Sequence, residues 1–83
     1  MNTEEIYAGL TDVFRDVFDD ESIRLKPETT ASDIQGWDSQ ANVTLIIATE
    51  IRFDIRFRTV EFETLKNIGE FVRLIENKRA GRA

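Results

Sequence analysis

One stretch of this chain decides what the rest can fold into. From Glu50 to Arg58 the sequence alternates apolar and charged residues, Glu50-Ile51-Arg52-Phe53-Asp54-Ile55-Arg56-Phe57-Arg58, as an edge strand would. No second stretch of comparable quality exists to pair with it, and a lone strand cannot satisfy its own backbone groups. Just upstream, Val43, Ile46, Ile47 and Glu50 follow helical spacing. Local pattern alone supports a helix to about Thr49 and leaves the following residues evenly balanced. With no partner strand, the reading is a helix to about Phe53, then an extended loop whose Ile55 or Phe57 turns inward.

Helices claim the remaining periodic segments. Asn2 with Glu5 three residues on makes a capping box, and Ile6, Leu10, Val13, Phe14 and Val17 make one buried face behind it. Glu4 and Glu5 stand in the first turn, where the helix dipole favours negative charge. At the other end Asn67 and Glu70 form the same signature, followed by a face of Ile68, Phe71, Val72 and Ile75. A short helical turn is expected from Thr59 to Thr64, with Phe62 inward. Between Asp19 and Trp37 the residues Pro27, Thr29, Thr30, Ser32 and Gly36 break helical continuity. A loop of this length is unusual unless it has a function. Ile23, Leu25, Ile34 and Trp37 are expected to tether it. The chain therefore reads as all-α, three main helices plus one short one, with a long ordered loop after the first. The domain is expected to span residues 1–77, and the basic residues 78–83 a frayed tail.

The chemistry available is narrow. Among 83 residues there is no cysteine and no histidine, which removes thiolates, the usual general base near neutral pH and the commonest zinc ligand. Counting an EF-hand loop from Asp38 finds neither the glycine at its sixth position nor the glutamate at its twelfth. Asp12 and Asp16, one helical turn apart, read as solvated charge rather than an acid–base pair. No catalytic centre and no metal site are expected. The net charge of −5 argues against nucleic acid. That charge is uneven, because residues 1–38 hold ten acids against three bases and residues 39–83 six against eight. No apolar run approaches the ~20 residues of a bilayer span, and the acidic start lacks the features of a signal peptide, so a cytoplasmic monomer is expected.

The segment Ile34-Gln35-Gly36-Trp37-Asp38-Ser39 places an Asp-Ser pair at the mouth of an apolar helix, directly after the long loop. Either residue serves well as a helix N-cap. In its order and spacing the chain resembles the acyl carrier protein family. The Asp-Ser pair opens that family's second helix. Val43, Leu45 and Phe53 stand where that helix carries apolar residues, and Phe53-Asp54-Ile55-Arg56-Phe57 looks like its end. The stretch Asn67-Ile68-Gly69-Glu70, with Val72 and Ile75, is similar to the last helix, so the likeness runs from Ile6 to Ile75.

The resemblance implies a 4′-phosphopantetheine arm on the Ser39 hydroxyl, with the acyl group carried as a thioester, and it favours helix then loop over residues 51–57. It implies that Asp38 helps a phosphopantetheinyl transferase place its magnesium and coenzyme A. It implies further partners in an acyl-loading ligase or synthase and in acyltransferases of fatty-acid, lipid-modification or polyketide-type synthesis. Gln40, Val43, Ile47, Glu50, Ile51 and Arg56 are the candidates for the partner-facing surface, and Ile46, Phe62 and Leu65 for the space that admits an acyl chain. Two alternatives remain at this point: an aminoacyl or peptidyl carrier on the same arm, and an unmodified helical interaction domain. The chain also departs from the family. Gln40 follows the serine where leucine is common, Ile51 stands where an acid is common, and between Ser39 and Phe53 the only charges are Glu50 and Arg52. With complementary charge setting partner choice, these departures imply a dedicated set of partners.

Overall fold

The computed structural model describes residues 2–81 and builds them from four helices: α1 (Thr3–Phe18), α2 (Ser39–Phe53), α3 (Thr59–Glu63) and α4 (Ile68–Arg79). At the start of α1 the expected box is complete. Asn2 Oδ1 accepts from the Glu5 amide at 2.8 Å, and Glu5 Oε1 accepts from the Asn2 amide at 3.0 Å. The helix ends at Asp19, which adopts a left-handed conformation with φ +49°. Ile6, Leu10, Val13 and Phe14 are buried and Val17 is half-buried. Gly9 lies on the same face for a steric reason, since a Cβ there would come within 2.9 Å of Phe53 Cζ. It is the missing side chain that lets α1 lie against α2, its main neighbour.

The alternating stretch resolves into two pieces. The helix α2 continues to Phe53, and Asp54, left-handed at φ +54°, stops it. Beyond the stop, the alternation is real. Ile55 and Phe57 both pack against the core while Arg56 and Arg58 stay exposed. Among the described residues no strand partners this segment; two glutamates take the strand's place. Glu50 Oε2 accepts from the Phe57 amide and Glu61 Oε1 from the Arg58 amide, each at 2.8 Å.

The helix α2 buries one line of residues and exposes another. Leu45, Thr49 and Phe53, at i, i+4 and i+8, face the core, whereas Val43 and Ile47 face solvent. Burial of a residue such as Leu45 or Phe53 contributes roughly 1.5–3 kcal/mol. Thr49 escapes the cost of a buried hydroxyl by donating to the Leu45 carbonyl at 2.7 Å.

The helix α4 carries the expected face, with Ile68, Phe71, Val72 and Ile75 buried. Its N-terminus differs in detail. Asn67 Oδ1 accepts from the Glu70 amide at 2.9 Å, but Glu70 Oε1 reaches the Lys66 amide instead of closing a box on Asn67. The loop supplies the other acceptors: the Ile68 amide donates to Thr29 O and the Gly69 amide to Pro27 O, both at 2.8 Å. A Cβ at Gly69 would lie 3.1 Å from that Pro27 oxygen. The helix also runs past residue 77, where a tail was expected. Lys78 Nζ meets Glu61 Oε1 at 2.7 Å, and Arg79 Nη1 donates to Phe53 O at 3.0 Å, which ties the last turn to α3 and to the end of α2. The expected frayed tail also includes Arg82 and Ala83, which lie outside the described residues.

The long loop is ordered by the expected anchors. Ile23 and Ile34 are buried, Leu25 and Trp37 half-buried, and Arg15 Nε donates to Ile23 O at 3.0 Å. It also contains one turn of 3₁₀ helix at Ala31–Asp33, opened by the Thr30 amide donating to Asp33 Oδ2 at 2.9 Å. Among the described residues, no helix is long and apolar enough to cross a membrane.

Candidate functional site at the mouth of the second helix

The chain enters α2 through a turn that only glycine adopts freely: Gly36 has φ +90°. The turn swings Trp37 onto α1. Its ring meets Phe14 edge-on, with centroids 5.2 Å apart, and lies 6.2 Å from Phe18. Its Nε1 donates to Asn42 Oδ1 at 2.8 Å, one turn into α2. The helix mouth is thereby fixed from both sides, by an aromatic cluster below and a hydrogen bond above.

Asp38, not Ser39, is the N-cap. Its Oδ1 accepts from the Ala41 amide and its carbonyl from the Asn42 amide, both at 2.9 Å. Ser39 is the first helical residue and is exposed. With Ala41 capped, the amides of Ser39 and Gln40 remain as the free donors of the helix mouth, beside the Ser39 hydroxyl. The positive end of the helix dipole lies at the same place. An exposed hydroxyl among amide donors suits a group that brings negative charge, such as a phosphodiester.

Downstream of Ser39, the structure separates the candidate residues. Gln40, Val43, Ile47, Ile51 and Arg56 are exposed. Glu50 is half-buried, and its carboxylate is committed to the Phe57 amide. The three residues expected around an acyl chain do not share one cavity: Ile46 lines one, Leu65 another, and Phe62 both. A cavity of about 340 Å³ is bounded by Asn42, Val43, Ile46, Phe57 and Phe62. Another of about 220 Å³ is bounded by Trp37, Asn42, Phe62, Leu65 and Phe71. Phe62 and Asn42 line both, so Phe62 stands as a wall between them. That ring is held by Phe57 and Phe71, whose centroids lie 6.0 Å and 5.2 Å away.

Sequence reasoning passed over Asn42 and Val60. Asn42 is a polar residue one turn behind Asp38 in an apolar helix, next to a tryptophan that needs an acceptor, and those two facts together mark it. Val60 is exposed on α3, and nothing in its local pattern marks it.

Elsewhere, the titration shifts are structural. A hydrogen bond from Lys78, followed by one from the Arg58 amide, holds the Glu61 carboxyl below the ordinary glutamate range. Burial pushes the Tyr7 phenol up, aided by Glu28 and Glu76. The Asp12 carboxylate faces Arg52 across the groove at 3.5 Å, with both side chains exposed.

No family model matches the chain. It is 30% identical over 77 residues to the acyl carrier protein of Acidothermus cellulolyticus, covering 93% of this chain and 92% of that one. With the acyl carrier protein of Micrococcus luteus it shares 26% over 77 residues, covering 93% and 95%. Among solved structures, the solution structure of a holo acyl carrier protein from Geobacter metallireducens superposes with a TM-score of 0.85 at 42% identity, over 92% of this chain and 87% of that one. Relatives matched along nearly their whole length, together with this helix order, establish that the chain belongs to the acyl carrier protein family and is a carrier, not an enzyme.

Proposed function

We propose that Ser39 is the attachment point of a 4′-phosphopantetheine arm, and that the chain presents an acyl group on that arm to successive enzymes. The observation that carries this reading is the exposed Ser39 hydroxyl at the first position of α2, flanked by the free amides of Ser39 and Gln40. When bound, the arm supplies the thiol that holds the acyl group as a thioester. The chain's own residues do the rest. Asp38 keeps the helix mouth closed through one carboxylate oxygen and has the other to offer the magnesium of a phosphopantetheinyl transferase. The two amides and the helix dipole favour the phosphodiester. The cavities along Ile46, Phe62 and Leu65 offer an apolar refuge for the acyl chain, entered near Asn42.

The partners that follow from this role are a phosphopantetheinyl transferase, an acyl-loading ligase or synthase, and acyltransferases of fatty-acid, lipid-modification or polyketide-type synthesis in the cytoplasm. They meet the monomer along Gln40, Val43, Ile47 and Ile51, with Arg56 at the edge. The test is intact mass after incubation with coenzyme A and a broad-specificity transferase. A gain of one phosphopantetheine that disappears in Ser39→Ala supports the reading. No gain with several transferases contradicts it and leaves an unmodified interaction domain.

A further inference from the structure

The space beside α3 is divided where a long cargo would need it whole. The cavity of about 340 Å³ runs along Val43, Ile46 and Phe57, and the cavity of about 220 Å³ along Trp37, Leu65 and Phe71. Phe62 lines both and is only 8% exposed, so its ring stands between them. Asn42 on α2 and Glu63 on α3 also line both, which gives the two cavities a common polar edge one helical turn from Ser39.

The wall is held in place. Phe57, Phe62 and Phe71 form a triangle in which each pair of rings meets edge-on, with centroids 6.0, 5.2 and 5.8 Å apart. Turning Phe62 aside breaks two of these contacts at once. The backbone behind the rings is pinned as well. The Phe57 amide donates to Glu50 Oε2 at 2.8 Å, and Glu61, next to Phe62, accepts from the Arg58 amide at 2.8 Å and from Lys78 Nζ at 2.7 Å.

Neither cavity alone holds a long alkyl chain. A methylene takes about the room of one water, roughly 30 Å³, so the smaller cavity corresponds to roughly seven chain atoms and the larger to roughly eleven. The thioester takes part of that room. We infer that this carrier is selective for acyl groups of about four to eight carbons, and that Phe62 sets the limit. The inference rests on the carrier reading and names the class of its cargo. The arm holds the thioester end, so an acyl chain enters tip first. Once the tip meets Phe62, each added carbon stays outside, leaves apolar surface in water and pushes the thioester back toward solvent.

The experiment loads the full chain with saturated straight-chain acyl groups of four, eight, twelve and sixteen carbons. A broad-specificity transferase moves acyl-phosphopantetheine from acyl-coenzyme A to the Ser39 oxygen, releasing adenosine 3′,5′-bisphosphate, and intact mass confirms each product. The readout is the half-life of the thioester in hydroxylamine, with the matching acyl-pantetheine as the unprotected reference. The half-life is expected to be longest at about eight carbons or fewer and to fall about threefold or more by sixteen. Phe62→Ala joins the cavities and moves the maximum to twelve carbons or beyond. Phe62→Leu, which keeps an apolar core residue, moves it the same way should circular dichroism show the alanine variant unfolded. Val60→Ala, on the exposed side of α3, leaves the maximum in place. A half-life that keeps lengthening to sixteen carbons in the unsubstituted chain, a maximum unmoved in the folded Phe62 variants, or no protection at any length overturns the chain-length inference while the carrier reading stands. Failure of the chain to take either free or acylated phosphopantetheine overturns the carrier reading and the inference with it.

Discussion

The helices α1 and α2 pack against each other, yet they use their apolar residues differently. In α1 the apolar residues form one stripe, all of it turned inward, and the outer face is charged, with Glu4, Glu5, Asp12 and Asp16 exposed. In α2 they form two rows. Leu45 and Phe53 turn inward with Thr49 between them, while Val43, Ile47 and Ile51 turn outward and no free charge accompanies them. The first pattern is what folding demands of a helix on a small core. The second exceeds it, and the excess begins one turn from Ser39.

The contrast breaks first if the two rows of α2 prove equivalent. Leu45→Ala, on the buried row, should cost about 2–5 kcal/mol in urea unfolding, whereas Ile47→Ala, two residues on and equally apolar, should stay within about 0.5 kcal/mol. Gly9→Ala tests the close approach of the two helices. Alanine favours helix by about 1 kcal/mol over glycine, yet its Cβ would meet the buried Phe53 ring at 2.9 Å, so a net loss of about 1–3 kcal/mol is expected.

How far such a division is legible in the sequence depends on the segment. The helices α1 and α4 announce themselves, since each has an asparagine cap and a single apolar stripe. Trp37 and the loop anchors are legible because isolated apolar residues in a polar loop have nowhere to go but the core. The inward face of α2 is not legible in the same way. Leu45, Ile46 and Ile47 are consecutive, so spacing cannot choose a face, and the true buried row hides a threonine satisfied by its own helix. The segment after Asp54 keeps a strand's alternation without a strand, because Glu50 and Glu61 satisfy its amides from outside the local pattern. Ser39 is legible as a helix start from its neighbours. Its reading as an attachment point came from the resemblance of the whole chain, not from any one residue.

Smaller effects sharpen the comparison at the edges of α2. Gly36→Ala should cost about 1–2 kcal/mol, because the left-handed turn before Trp37 disfavours any Cβ, and priming at Ser39 should slow with it. The smallest effect concerns Glu61, which supports the loop beside the outer row. A carboxyl held below its ordinary value contributes stability at neutral pH that is lost as pH falls through its folded value. Glu61→Gln should therefore lower stability slightly at neutral pH and converge on the unsubstituted protein in acid, which flattens the acid limb of the curve below the ordinary glutamate range.

The most direct test of the account is to locate the arm. After priming, the protein is digested and the peptides are sequenced by mass spectrometry, which separates Ser39 from the other serines, Ser22 and Ser32. Phosphopantetheine on the peptide holding Gly36-Trp37-Asp38-Ser39, assigned to Ser39, is the predicted result. An arm on Ser22 or Ser32, or none on a folded and otherwise competent chain, would contradict it.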